Sequence, residues 1–496
     1  MVGGATGAGG AAPGSGGSLS SGGTGPSTGG GNASGGAGGG VGTGGDGTGG
    51  SVEPPIVELD VVTSAPGNYW KEAALTPASG AATITVNDSQ VLGPWKGFGG
   101  TFNEKGWQAL KSVSEADRAR AIKLLFDRAD GAAFTYGRIP IGSSDYALSR
   151  YSLNETAGDI EMENFSIERD QMDLIPYIKA ALEVQPKIHF WGSPWSPPTW
   201  MKSNGAFDRG TMKEDDATLG AHALYLARFV EEYDKEGIRI EAVHPQNEPG
   251  YLQDYPSCGW SAALMTKYIR DVLGPLFADR LPDREVWLGT ISNTTSKAIV
   301  DGVMTNSGAA AFVTGIGVQW SQDQYVPGYI SSYNKPVMQT EHRCGNYPNG
   351  NNTNLAPNDD AYARESWGYI AHYIRQGVSY YMAWNMVLDT VGRNLDTVRP
   401  WAQNALLAVD VSAKTLKVTP TYYVFRHVAQ YVDADAVRVG TQGGDTVAWK
   451  NPDGDIVAVF YNSGNSPKTE NVAIGGSTYA VTVPGQGWAT VNKQAP

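Results

Sequence analysis

Two glutamates stand where short apolar runs stop. Glu248 lies in His244-Pro245-Gln246-Asn247-Glu248-Pro249, and Glu341 in Gln339-Thr340-Glu341-His342-Arg343. A carboxylate at the end of a buried strand either pairs with a cation or does chemistry. Taken singly, each reads as a strand-end salt-bridge partner. Taken together and facing one another, the two suit cleavage of a glycosidic bond. One must be protonated to give a proton to the leaving oxygen, and the other charged to attack the anomeric carbon. Carboxyls about 5–5.5 Å apart serve a retaining reaction, and about 6.5–9.5 Å an inverting one. Pro249 cannot continue a ladder and is expected to hold Glu248 in extended geometry.

Aromatic residues crowd the same ends: Trp191, Trp195, Trp200, Trp260, Trp320 and Trp384. A flat ring packs against the C–H face of a pyranose, although any one tryptophan is more often core; six at one rim point toward a sugar cleft. Two other chemistries compete. His244, Glu248, Glu341 and His342 offer zinc-type ligands, but no His-Glu-x-x-His pattern is present and the six histidines are scattered. His244 then reads as a packed strand residue bonded to a neighbour. A Gly-x-Ser-x-Gly match at Gly25–Gly29 lies in the Gly-rich head, without the strand-turn-helix context of a nucleophile elbow.

The elements that must position these residues alternate. Strands are predicted near Gly97–Phe102, Ala133–Ile139, Lys187–Trp191, Arg239–Pro245, Glu285–Gly289, Gly315–Trp320, Pro336–Thr340 and Val378–Trp384. Between them run amphipathic helices near Glu115–Ala129, Ala217–Lys235, Ser261–Leu276 and Ala361–Gln376, the first opened by Ser114 and Asp117 in capping-box spacing. Eight strands alternating with helices fit an α/β (β/α)₈ barrel, whose sites lie at the C-terminal strand ends. An open doubly wound sheet would alternate too.

Beyond about residue 404 short strands follow, near Ala436–Gly440, Asp445–Lys450, Asp455–Tyr461, Glu470–Ile474 and Thr478–Val483. Val57–Val62 and Ala82–Val86 have the same character. The expected organisation is a catalytic barrel over residues 95–403 and a flanking β-sandwich from 55–94 together with 404–496. Residues 1–54 are expected to be a disordered linker. Within them the first 50 hold 25 of the 64 glycines and no Lys, Arg, Trp, Tyr or Phe, too little apolar surface to offset ordering entropy. The net charge of −13 argues against nucleic acid and anionic lipid as partners, and no apolar run is long enough to span a membrane.

These motifs resemble glycoside hydrolase family 30, which includes glucosylceramidases, β-1,6-glucanases and xylan-cleaving enzymes. The likeness runs from about Ile56 to the C-terminus. It rests on Gly97-Phe98-Gly99-Gly100, on Arg138-Ile139-Pro140-Ile141-Gly142-Ser143-Ser144-Asp145-Tyr146, and on Ser193-Pro194-Trp195-Ser196-Pro197-Pro198-Thr199-Trp200-Met201-Lys202, with Gln246-Asn247-Glu248-Pro249 and Thr340-Glu341. The resemblance implies a barrel with a sandwich built from both chain ends. It implies Glu248 as general acid/base and Glu341 as nucleophile. Asn247 would bind the sugar 2-hydroxyl; Asp145, Trp195 and Trp384 would hold the sugar; Arg138 would orient the carboxylates; Trp320 would line the cleft. Two segments depart from the pattern: Gln319-Trp320-Ser321 stands where the glucosylceramidase-like form has His-Trp-Tyr, and Gly392-Arg393-Asn394 follows the sugar-binding Asn only loosely.

The reading is therefore a retaining β-glycosidase acting on a β-linked glucoside, such as a β-1,6-glucan or a glucosylceramide-like compound. A xylan- or galactan-directed enzyme and a non-catalytic carbohydrate-binding protein are the alternatives. No metal or organic cofactor is required. A secreted or cell-surface monomer is expected. If the two glutamates face each other, Cys258 and Cys344 fall on neighbouring loops, and a disulfide between them is predicted; two separate thiols are the alternative.

Overall fold

The structure, a computed structural model, describes residues 59–343, 357–398 and 402–495. The stretch 1–54 and Cys344 lie outside the described residues. Eight parallel strands close into a barrel: β1 (Gly97–Thr101), β2 (Tyr136–Pro140), β3 (His189–Ser193), β4 (Ile240–Val243), β5 (Glu285–Ile291), β6 (Val313–Gln319), β7 (Val337–Glu341) and β8 (Tyr380–Asn385). Each pairs with the next, and β8 returns to β1 through Tyr380–Gly97 and Tyr381–Phe98. Closure excludes the open sheet that the alternation alone had left possible. With helices outside and side chains filling the centre, β1 and β7 are buried at every residue, as strands covered on both faces must be. The glycines of β1 answer to crowding: a Cβ on Gly99 would sit 2.0 Å from the Tyr136 carbonyl oxygen.

The helices follow from their ends and faces. Ser114 accepts a hydrogen bond from the Asp117 amide and caps Glu115–Phe126. The helix expected over 261–276 is longer and interrupted. It runs Ala262–Tyr268, passes through a π turn at Ile269–Leu273, and resumes as Gly274–Arg280. Pro275 has no N–H to give the ladder, and a π turn absorbs such a break.

Strands from both sides of the barrel sequence share one ten-stranded sheet. Leu59–Ala65 pairs with Gly487–Lys493, and Ile84–Pro94 lies between Val437–Gln442 and Lys468–Ile474. This sheet has its own apolar core, to which Val61, Ile84, Val439, Phe460 and Val491 contribute. Trp449 links it to the barrel, with ring centroids 5.6 Å from Trp95 and 6.0 Å from Phe98.

Among the elements that go unseen in the sequence, five join or flank the two halves. Gly487–Lys493 is a buried central strand; Val387–Asp389, Leu407–Asp410 and Thr415–Val418 form a small separate sheet; Pro420–Ala429 is a helix. That helix joins the two halves. His427 bonds Thr490 and Ser64 of the large sheet, and Tyr422 donates to the Leu124 carbonyl on the barrel side.

One buried carboxyl gives a stability prediction. Asp170 accepts hydrogen bonds from Tyr151 and Tyr233, both at 2.8 Å, and burial pushes its pKa up to about 7. The fold therefore holds this proton more tightly than the unfolded chain does. That stabilisation is complete below about pH 4 and declines as pH rises through about 7. Asp170→Asn is expected to flatten this slope, read from urea unfolding across pH 4–8; an unchanged slope would refute the assignment.

Candidate active site

The C-terminal mouth of the barrel opens into a cavity of about 290 Å³. Asp145, Trp195, Asn247, Glu248, Trp320 and Glu341 all line it. Residues expected from distant stretches of sequence thus meet at one place.

Glu341 is the last residue of β7 and is 5 % exposed. Arg138 of β2 donates to its Oε2 at 2.7 Å, and the Trp320 indole N–H to its Oε1 at 3.0 Å. Both carboxylate oxygens are held by donors. Arg138 is wholly buried and does more than pair with Glu341. It also donates to Asn247 Oδ1 at 2.7 Å and to Ser193 Oγ at 3.0 Å, and its guanidinium carbon lies 4.2 Å from the Trp195 ring centroid. Asn247 Oδ1 takes a second bond from Thr290 at 2.7 Å. Since both of those contacts are to the amide oxygen, its NH₂ is left to turn toward the cavity.

Glu248 lies beyond the end of β4. Its amide donates to the Thr290 carbonyl at 2.9 Å, and Tyr255 donates to its Oε2 at 3.2 Å. Contrary to the extended geometry expected from Pro249, its φ is +48°. The chain must turn at this point: Glu248 N reaches across to Thr290, and its carbonyl accepts from Tyr251 N. Left-handed backbone is costly for Glu, and such strain concentrates at functional sites.

The electrostatics separate the two carboxyls. Burial, then the neighbouring Glu341 charge, push Glu248 up to about 7. Burial also raises Glu341, but Arg138 and Trp320 pull it back. Glu341 is thus the one that ionises first. Asp145 is raised well above the usual carboxylate range by burial and by both glutamates, and its Oδ1 has no protein partner.

The tryptophans divide. Trp195 and Trp320 line the cavity. Trp384 stacks on Trp195 at 5.4 Å and 20°, so it supports that ring from outside the cavity lining. Trp191 belongs to the interior of the barrel, and Trp260 and Trp200 pack at the main core. Direction, not proximity in sequence, decides which ring faces a ligand.

His244 packs between Trp191, at 4.2 Å, and Trp287, at 5.7 Å. Neither of its nitrogens has a hydrogen-bond partner, which corrects the expected bond to a neighbour. A Cβ on Gly317 or Gly289 would press within 2.8 Å of this ring, so there is no room for a partner there. His342 bonds Tyr381 and Ser366 in the core. Among the described residues no group of three or more His, Cys, Asp or Glu is arranged to hold a metal ion. Cys258 is a free, fully buried thiol in the apolar core, its pKa pushed up to about 12 by burial. The predicted bridge pairs it with Cys344, which lies outside the described residues.

Tyr255, Ser292, Asn293, Ser321 and Gln403 also line the cavity and were not picked out as site residues from the sequence. Ser292 and Asn293 directly follow β5, so the strand-end rule applied to every strand would have found them. Gln403, far along the chain beyond β8, carries no such signal.

The glycosyl hydrolase family 30 TIM-barrel domain matches residues 95–432, and the family's β-sandwich domain matches residues 435–491. The chain is 27 % identical over 423 residues to putative glucosylceramidase 1 of Caenorhabditis elegans, covering 80 % of this chain and 79 % of that one. It is 24 % identical over 446 residues to the endo-1,6-β-D-glucanase of Neurospora crassa, covering 82 % and 86 %. In fold it resembles the endo-β1,6-glucanase BT3312, with a TM-score of 0.80 at 22 % identity over 88 % of this chain and all of that one. No helix among the described residues is long and apolar enough to cross a membrane. With both of its domains matched, the chain belongs to glycoside hydrolase family 30.

Proposed function

We propose that this glycosidase hydrolyses β-linked glucosides with retention of configuration, Glu341 acting as nucleophile and Glu248 as acid/base. The observation that carries the reading is the asymmetry of the two carboxyls in one cavity. Glu341 is held as an anion by Arg138 and Trp320, whereas Glu248 keeps its proton near neutral pH. In the first step Glu341 attacks the anomeric carbon. The bond to the leaving oxygen breaks, and Glu248 gives that oxygen its proton. Forming the glycosyl–enzyme consumes the Glu341 charge, so the Glu248 carboxyl becomes the better base. It then takes a proton from water as the water attacks the same carbon and Glu341 departs with the bonding electrons. Asn247 and Asp145 are placed to receive the sugar hydroxyls, and Trp195 one of its faces. No step calls for a metal or an organic cofactor.

A β-1,6-glucan or a glucosylceramide-like compound is the proposed substrate, supported by the curated relatives with those names. A β-1,6-glucan is a polymer that would be met outside the cell or at its surface. One chain supplies all these groups, which supports a monomer. Product analysis on a panel of β-1,6-glucan, β-1,3-glucan, xylan, galactan and glucosylceramide tests the reading. Release of glucose or gluco-oligosaccharides with β configuration is expected. Xylan as the preferred substrate, or binding with no turnover, would overturn it.

Arg138 offers a sharper test of the site. Lysine keeps the charge but cannot donate to Glu341, Asn247 and Ser193 at once. Arg138→Lys is expected to lower kcat by about 10²-fold with KM changed far less, since misplaced electrostatic donors act mainly on the transition state.

A further inference from the structure

Two buried donors lie within reach of the Glu248 carboxyl, yet neither makes a well-formed hydrogen bond to it. Ser292 Oγ follows the end of β5, and Gln319 Nε2 ends β6; the residues are 3 % and 0 % exposed. Gln319 Oε1 accepts from Thr340 Oγ1 at 2.8 Å, which turns its NH₂ toward the carboxyls. Its backbone pairs with Glu341 in the β6–β7 register, and its amide lies by both glutamates. A buried donor whose hydrogen bond is poorly made costs stability, and both of these favour the ionised carboxyl, so the pair asks for a state in which Glu248 is the anion.

We propose that Ser292 and Gln319 are positioning residues held in reserve for the second half of the reaction, when Glu248 is an anion. The inference rests on the double-displacement reading above. In the first half Glu248 carries its proton and Glu341 is the anion, already bonded by Arg138 and Trp320. After transfer the proton sits on the leaving group, Glu341 is esterified, and the negative charge is on Glu248. At that point its carboxylate oxygens accept from Ser292, Gln319 and Tyr255. The donors aim the base at water and release it when the proton returns. Neither amide nor hydroxyl titrates near neutral pH, so they act in the same form throughout. The charged and titratable groups that also face Glu248 are Glu341 on β7, Arg138 on β2, Asp145 beyond β2 and Tyr255 beyond β4.

The test is pre-steady-state hydrolysis of 2,4-dinitrophenyl β-D-glucoside, whose leaving group needs no acid. The burst reports formation of the glycosyl–enzyme, and the steady state its hydrolysis. Ser292→Ala is expected to keep the burst rate within about twofold, whereas Gln319→Met, whose amide also lies by Glu341, is expected to slow both phases, the steady state the more. They should slow the steady state about ten- to hundredfold, the scale of a hydrogen bond to a charged group. Ser292→Thr should behave as the parent. On an alkyl β-glucoside, whose leaving group needs the acid, the alkaline limb of kcat/KM should move to higher pH, since the anion loses its donors. Equal loss in both phases, or no loss in either, overturns the proposal. Should Gln319→Met fail to fold, Ser292→Ala decides alone. If the parent enzyme gives no burst and no turnover on this glucoside, the glucoside reading is the one that fails. The variants are then compared on the aryl glycoside of whichever sugar the glycan panel identifies.

Discussion

Glu341→Gln is expected to reduce hydrolysis by a factor on the order of 10⁴–10⁶, the scale seen when a nucleophile is removed. The substitution takes away the attacking charge and leaves the cavity's shape almost unaltered. It also has a structural cost. Arg138 is wholly buried and now donates to an anion at 2.7 Å; facing a neutral amide it loses its countercharge, and the one amide oxygen cannot serve both Arg138 and Trp320. Loss of one member of a buried pair is destabilising by a few kcal/mol. A thermal denaturation curve therefore belongs beside the kinetics, so that unfolding is not mistaken for lost chemistry. The direct readout is covalent. A 2-deoxy-2-fluoro-glucosyl fluoride should add one glycosyl group to the parent protein, located on the peptide containing Glu341, and none to the variant. Labelling of Glu248 instead would reverse the assigned roles.

Glu248→Ala should behave differently. On a substrate with a poor leaving group, loss of the proton donor is expected to cost about 10²–10⁴-fold. On a dinitrophenyl glucoside the first step needs no proton, so the burst should survive while the glycosyl–enzyme accumulates. Azide should then release a β-configured glycosyl azide. The pH dependence follows from the shift itself. Burial and the Glu341 charge raise Glu248 to about 7, and the general acid works only while protonated. Activity in the parent should thus fall as pH rises through about 7, and this limb should vanish in Glu248→Ala. A retained alkaline limb would place the acid elsewhere, with Asp145 the first residue to examine.

Much of this site was legible before any fold was known. Glu248 and Glu341 lie where strand-forming runs stop, and in a parallel barrel every such stop faces the same mouth. The barrel itself was legible because its signal is local: eight short apolar runs alternate with helical periods, and Ser114 and Asp117 announce a helix start. Those features depend on a few neighbouring residues and survive without tertiary context.

The rest was decided by long-range packing. The separate elements at Val387–Asp389, Leu407–Asp410, Thr415–Val418 and Pro420–Ala429 are short, and their partners are distant in sequence. The tryptophans could not be sorted from sequence, because Trp195 and Trp191 differ in which way their rings point and not in residue type. Pro249 suggested extended backbone at Glu248, but a hydrogen bond to Thr290, on the neighbouring strand, turns the chain through φ +48°. The sequence by itself determined which two acids stand at strand ends. Their unequal surroundings come from the folded barrel: Arg138 and Trp320 on Glu341, and Tyr255, with Ser292 and Gln319 in reach, beside Glu248. The reason is physical. Proton affinity depends on burial and on charges a few ångströms away, and those neighbours come from other strands of the barrel.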